Sequence, residues 1–81
     1  MGLLESIIIN YPDMMFMLAE GFDDALLGIE EKTMVLVYSK DKCLDILSKD
    51  MEYIEALEYL EEEINVRYRI VGSPLFINDN F

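Results

Sequence analysis

Apolar residues fall along the chain in short runs whose spacing changes twice, and each change marks a new kind of element. Residues 3–9, Leu-Leu-Glu-Ser-Ile-Ile-Ile, suit a short apolar helix ending near Asn10. Pro12 suits the first turn of further helix, with Asn10 or Tyr11 as cap and Asp13 at the positive end of the helix dipole. That helix would carry Met14, Met15, Phe16 and Met17 and stop at Gly21, a residue suited to the left-handed position after a helix. The two pieces form either one kinked helix or two.

After Asp24 the pattern becomes that of strands. Residues 25–31 and 33–39 read as a pair joined by a polar Glu-Glu-Lys turn, although the first of them is also compatible with a helix. The unbroken run Met34-Val35-Leu36-Val37 predicts a second strand covered on both faces. Helical spacing then returns. Asp41 suits the cap of a helix over 42–49, in which Cys43, Leu44, Ile46 and Leu47 make one apolar stripe. Asp50 suits the cap of a longer helix over 51–68, whose last residues either stay helical or pass into a strand. A turn at 71–74 precedes a short strand at 75–77, with Pro74 at its lip.

The expected order is α-β-β-α-α-β: an α+β fold with a small, three-stranded, mainly antiparallel sheet packed with helices. One domain over residues 1–81 is expected. It divides into an N-terminal helical segment (1–21), an α+β core (22–77) and a frayed tail (78–81).

Composition sharpens this picture. A hydrophobic content of 53% excludes disorder despite a net charge of −11. So much apolar surface is hard to hide in 81 residues, which predicts an exposed patch for a homodimer or another partner. Seventeen acids against six bases repel nucleic acid and anionic lipid and favour proteins with a basic surface. Direct nucleic-acid binding and membrane association are therefore not expected. No apolar run approaches bilayer length. With one cysteine and no signal-peptide pattern, the sequence reads as cytoplasmic.

On a helical wheel, residues 51–68 separate into two arcs. Tyr53, Ile54, Ala56, Leu57, Leu60, Ile64 and Tyr68 share one, and Glu52, Glu55, Glu58 and Glu62 the other. Like charges three and four residues apart cost a few tenths of a kcal/mol each. No lysine lies between residues 50 and 68 to relieve them, and Tyr59 sits among the carboxylates. Two readings stand. A charged run is most often a solvated back, but Glu55, Glu58, Tyr59 and Glu62 also make a plausible contact face for a basic partner, with the ring as anchor. Met14, Met15 and Met17 form a second candidate contact, since four consecutive large side chains cannot all face one core from a helix.

The chemistry of catalysis is thinly represented. Without histidine the commonest general base is missing, the four glycines form no phosphate loop, and Cys43 reads as a buried, unreactive thiol. Residues 41–52 imitate a calcium loop at Asp41, Asp45 and Glu52, but Cys43 and Ile46 stand where an oxygen ligand and glycine are needed. Neither a metal nor a cofactor is expected. A non-enzymatic protein follows. The alternative is a nucleotide or small-molecule signal binder, with a pocket at a dimer interface around Tyr38, Asn65 and Tyr68.

Three stretches, residues 19–31, 35–47 and 51–68, followed by Ser-Pro-Leu-Phe-Ile at 73–77, resemble a family of small acidic proteins of bacteriophages and prokaryotes, generally left as hypothetical. The shared features are Gly-Phe-Asp leading to Asp-Ala-x-x-Gly, a Val-Tyr strand, Asp-Lys-Cys, Tyr-x-Glu-Ala and a closing Pro-x-Phe. Here the link between the first two strands is short. Glu-Glu-Glu-Ile-Asn-Val-Arg-Tyr replaces the family's aromatic, Asn-containing helix end, so that only Asn65 and Tyr68 retain that pattern. The resemblance brings no reaction with it. It implies a phage context, in which short acidic cytoplasmic proteins act by binding and blocking a host protein. The acidic helix face suggests a specific version, in which its carboxylates imitate DNA phosphates against a nuclease or other DNA-binding enzyme.

Overall fold

The computed structural model describes residues 2–79. Helix α1 (Leu3–Asn10) ends where Tyr11 donates its N–H to the Ile7 carbonyl at 3.0 Å. Pro12 follows, and the steric demand of a proline on the residue before it drives Tyr11 out of helical geometry, to φ −131° and ψ 64°. The chain does not resume a helix here, contrary to the sequence reading. Residues 14–19 have no regular secondary structure. They are fixed instead by tertiary contacts. Ala19 donates its N–H to the Tyr38 hydroxyl at 3.0 Å, and Phe16 packs edge-on against Tyr11 with centroids 6.5 Å apart. Gly21, expected after a helix end, occupies the left-handed region (φ +88°) in a turn instead.

A single 3₁₀ turn over Asp23–Ala25 leads into strand β1 (Leu26–Glu30), which pairs antiparallel with β2 (Val35–Ser39). Leu26 lies opposite Tyr38 and Gly28 opposite Val37, so Leu27 is the extra residue of a bulge. The second strand begins later than its apolar run implies, because Thr33 and Met34 belong to the turn. Met34 takes φ 54° there and donates its N–H to the Glu30 carbonyl at 2.7 Å. As the middle strand, β2 is well covered: Val35, Leu36, Tyr38 and Ser39 are buried and Val37 half-buried.

The turn is also tied by Glu30, whose carboxylate accepts from the Thr33 hydroxyl at 2.6 Å and from the N–H groups of Thr33 and Lys32. The Thr33 hydroxyl bond first, then the two backbone bonds, hold the Glu30 carboxyl below its ordinary value. A depressed carboxylate supports the turn above its unfolded pKa and loses that support as pH falls through the folded value. Thr33→Val is expected to move the Glu30 titration upward when followed by carboxyl-carbon NMR. An unchanged midpoint would assign the depression to something other than this bond.

Helix α2 (Lys40–Leu47) is capped by Ser39, whose Oγ accepts the Lys42 N–H at 3.2 Å, and not by Asp41. Asp41 instead lies in the first turn, where the dipole favours it. The Ser39 hydroxyl donates in turn to Asp79 Oδ1 at 2.5 Å, so Asp79 of the expected frayed tail is tied to the fold. Asn80 and Phe81 lie outside the described residues. Helix α3 (Tyr53–Arg67) begins at Glu52 without a side-chain cap, while Asp50 belongs to the preceding turn, its N–H on the Leu47 carbonyl at 3.1 Å.

Strand β3 (Leu75–Ile77) returns on the far side of β2 and runs parallel to it, with Tyr38 opposite Phe76. The fold is α+β, as the periodicity predicts, but its sheet is mixed, with one antiparallel and one parallel pair. Tyr38 stacks on Phe76 at 5.5 Å, and Phe76 meets Tyr68 at 5.3 Å, so the end of α3 is fastened to β3 through rings. The core joins Ile7 of α1, Leu36 and Tyr38 of β2, Cys43 and Leu44 of α2, and Ala56 and Leu60 of α3. Among the described residues no helix is long and apolar enough to cross a membrane.

Candidate interaction surface

Helix α3 packs chiefly on α2, and a helix resting on one neighbour buries one stripe. That stripe is Ala56 and Leu60, both buried, continued by half-buried Ile64 and Tyr68 at four-residue intervals. The apolar arc of the wheel is therefore wider than the buried face. Tyr53, Ile54 and Leu57 lie outside the core, at 58%, 69% and 39% exposure.

On the other side, Glu55, Glu58 and Glu62 are exposed, with Tyr59 among them. Two ion pairs form among the described residues, and neither involves these three acids. Arg67 reaches Glu63 at 3.4 Å, four residues back, and Lys40 of α2 reaches Glu61 at 3.4 Å. Glu61 takes its cation from the neighbouring helix and Glu63 from its own. The acidic arc thus faces solvent without an ion pair among the described residues.

The methionines expected on a helix stand on the irregular segment. Met15 is 97% exposed, Met14 is also exposed, and Met17 is half-buried. The three residues proposed for a pocket at a dimer interface differ in exposure. Tyr38 is fully buried and takes the Ala19 N–H, Phe76 packs against both Tyr38 and Tyr68, and Asn65 is exposed on α3. Burial pushes the Tyr38 phenol up, while the Ala19 bond acts in the opposite sense. Cys43 is completely buried, and that burial pushes its thiol up to about 12, so it is not a nucleophile near neutral pH.

Among the described residues two clefts stand out on the surface, and none of Tyr38, Asn65 and Tyr68 lines either. One, of about 440 Å³, lies between the start of β2 and the 71–75 segment, where the buried Ser73 Oγ has no hydrogen-bond partner among the described residues. The other, of about 260 Å³, is formed by α2, α3 and Asn78. Sequence reasoning missed the second cleft. One wall was within reach: Tyr53, Leu57 and Glu61 repeat every four residues along α3. Its opposite wall and Asn78 are brought there only by tertiary folding.

Comparison with family models, with curated proteins and with solved structures gives no match for this chain.

Proposed function

We propose that this chain is a non-enzymatic acidic interaction protein, phage-encoded and acting in the cytoplasm of a host cell, that binds and inhibits a host protein through that protein's basic surface. In its specific form, the carboxylates of α3 stand in for DNA phosphates against a nuclease or other DNA-binding enzyme. The observation that carries this reading is the trio Glu55, Glu58 and Glu62, exposed, mutually repulsive and without an ion pair among the described residues. An external basic surface would relieve that repulsion, and Tyr59 supplies an anchoring ring beside it. At a rise of 1.5 Å per residue the three charges fall about 5 Å apart along the axis. That density is nearer to one DNA strand, at about 3.4 Å per charge, than to the duplex. Exposed Met14 and Met15 offer an adaptable second contact.

Affinity capture from host lysate, followed by mass spectrometry, tests the proposal. A DNA-binding protein should be retained at about 0.1 M salt and released at about 0.5 M, where screening is much shorter-ranged. Competing duplex DNA should also release it, and the E55K/E58K/E62K variant should not capture it. A variant that retains every captured protein would remove the acidic face from the account, and a complex indifferent to salt would remove phosphate imitation.

A further inference from the structure

The cleft between α2 and α3 combines two chemistries. Leu44 and Leu57 supply apolar wall and Tyr53 a half-exposed ring, while Asp41 and Glu61 bring two carboxylates against the single ammonium of Lys40. At about 260 Å³ it falls below the roughly 300–1,000 Å³ that encloses a drug-sized ligand. It suits one long side chain better than a nucleotide.

We propose that this cleft receives an arginine side chain of the basic partner, and that Lys40 is a built-in competitor which the incoming guanidinium displaces. The proposal rests on the reading that the partner presents a basic surface, and it names the group recognised. The arginine methylenes lie against Leu44 and Leu57, as the stems of long cationic side chains do on apolar surface. The guanidinium takes Glu61 and Asp41, and the Tyr53 ring offers its face. Arginine fits better than lysine, because its planar fork binds carboxylates through two donors and stacks on aromatic rings.

Lys40 shows that a cation is held here. Its Nζ lies 3.4 Å from Glu61 Oε1, with the side chains 35% and 49% exposed. A pair so exposed is weak and readily exchanged. An anion is the rival occupant, since Lys40 opens α2. However, the carboxylates outnumber the ammonium, and the Lys42 N–H at that helix end is already taken by Ser39 Oγ.

The test is an amide-shift NMR titration of the whole protein with acetyl-Leu-Arg-Leu-amide, with the same peptide carrying citrulline, and with inorganic phosphate. Saturable shifts at Tyr53, Leu57 and Asn78 are expected with the arginine peptide only. Glu61→Gln should weaken binding at least about five-fold. Lys40→Met should tighten it about two- to five-fold, the reverse of a structural loss. Lys42→Met makes the same charge change outside the cleft and should leave affinity unaltered. Equal binding of the citrulline peptide, phosphate shifting the same amides, or no gain in Lys40→Met beyond that of Lys42→Met would each overturn the proposal. Shifts confined to Glu55, Glu58, Tyr59 and Glu62 with loss of partner capture in E55K/E58K/E62K would sink the cleft alone. A saturating cleft with partner capture indifferent to that reversal would sink the acidic face alone.

Discussion

Leu36→Ala is expected to cost about 2–5 kcal/mol and to leave a large fraction of the chain unfolded near 37 °C. Leu36 is fully buried in the middle strand, between the two edge strands and within the helical core. Removing its three outer carbons forfeits transfer energy and leaves a cavity that a sheet hydrogen-bonded on both sides relaxes into poorly. The whole fold of a chain this size is worth about 4–12 kcal/mol, so this one side chain carries a large share. Denaturant unfolding checks it: the midpoint should drop with the slope little changed. Leu57→Ala, at 39% exposure, is the contrast and should cost under about 1 kcal/mol. Equal losses in the two variants would mean that Leu36 does not lie where the core is tightest.

The second large effect is alkaline. Between pH 9 and pH 12 stability is expected to fall by a few kcal/mol, because two buried acids must stay protonated for the fold to persist. The Cys43 thiol is raised to about 12 by burial, and the Tyr38 phenol is raised for the same reason. In the unfolded chain these groups ionise near about 8.5 and 10, so above those values the unfolded state binds fewer protons. The stabilisation is therefore complete below about pH 8.5 and is lost as pH rises through the folded values. Cys43→Ala should flatten the lower part of that fall, whatever it does to stability at pH 7. In the parent, iodoacetamide should label Cys43 only at the rate of unfolding. A full alkaline slope in Cys43→Ala, or labelling at the rate of a free thiol, would contradict this account.

How much of this was legible beforehand varies by segment for physical reasons. Helix α2 and strand β2 announce themselves, because one apolar stripe and one unbroken apolar run each match the period of what they become. Helix α3 was legible as a helix, but its buried width was not. How many of Tyr53, Ile54 and Leu57 reach the core depends on the number of neighbours α3 has, and a wheel does not contain that number. The 14–19 segment misleads for a related reason. Met-Met-Phe-Met has good helix propensity, and Pro12 only ends the helix before it, yet the remote Tyr38 hydroxyl takes the Ala19 N–H across nineteen residues and fixes the segment in another conformation. The direction of β3 was hidden because three residues carry no sign of which way they run beside a partner. Of the candidate contact residues, Glu55, Glu58, Tyr59 and Glu62 share the exposed side of α3, as their spacing implies. The cleft beside them depended on Lys40 and Asn78, which no local pattern ties to α3.

The parallel docking of β3 also orders events during synthesis. β1 and β2 are adjacent in the chain and can zip as soon as both have emerged, but the far edge of β2 must wait for Leu75–Ile77 and for both intervening helices. Closing that span costs roughly 3 kcal/mol of chain entropy before any contact repays it. Until that closure β2 displays an unpaired, greasy Val35–Tyr38 rim, for which strands of neighbouring copies are the nearest substitutes.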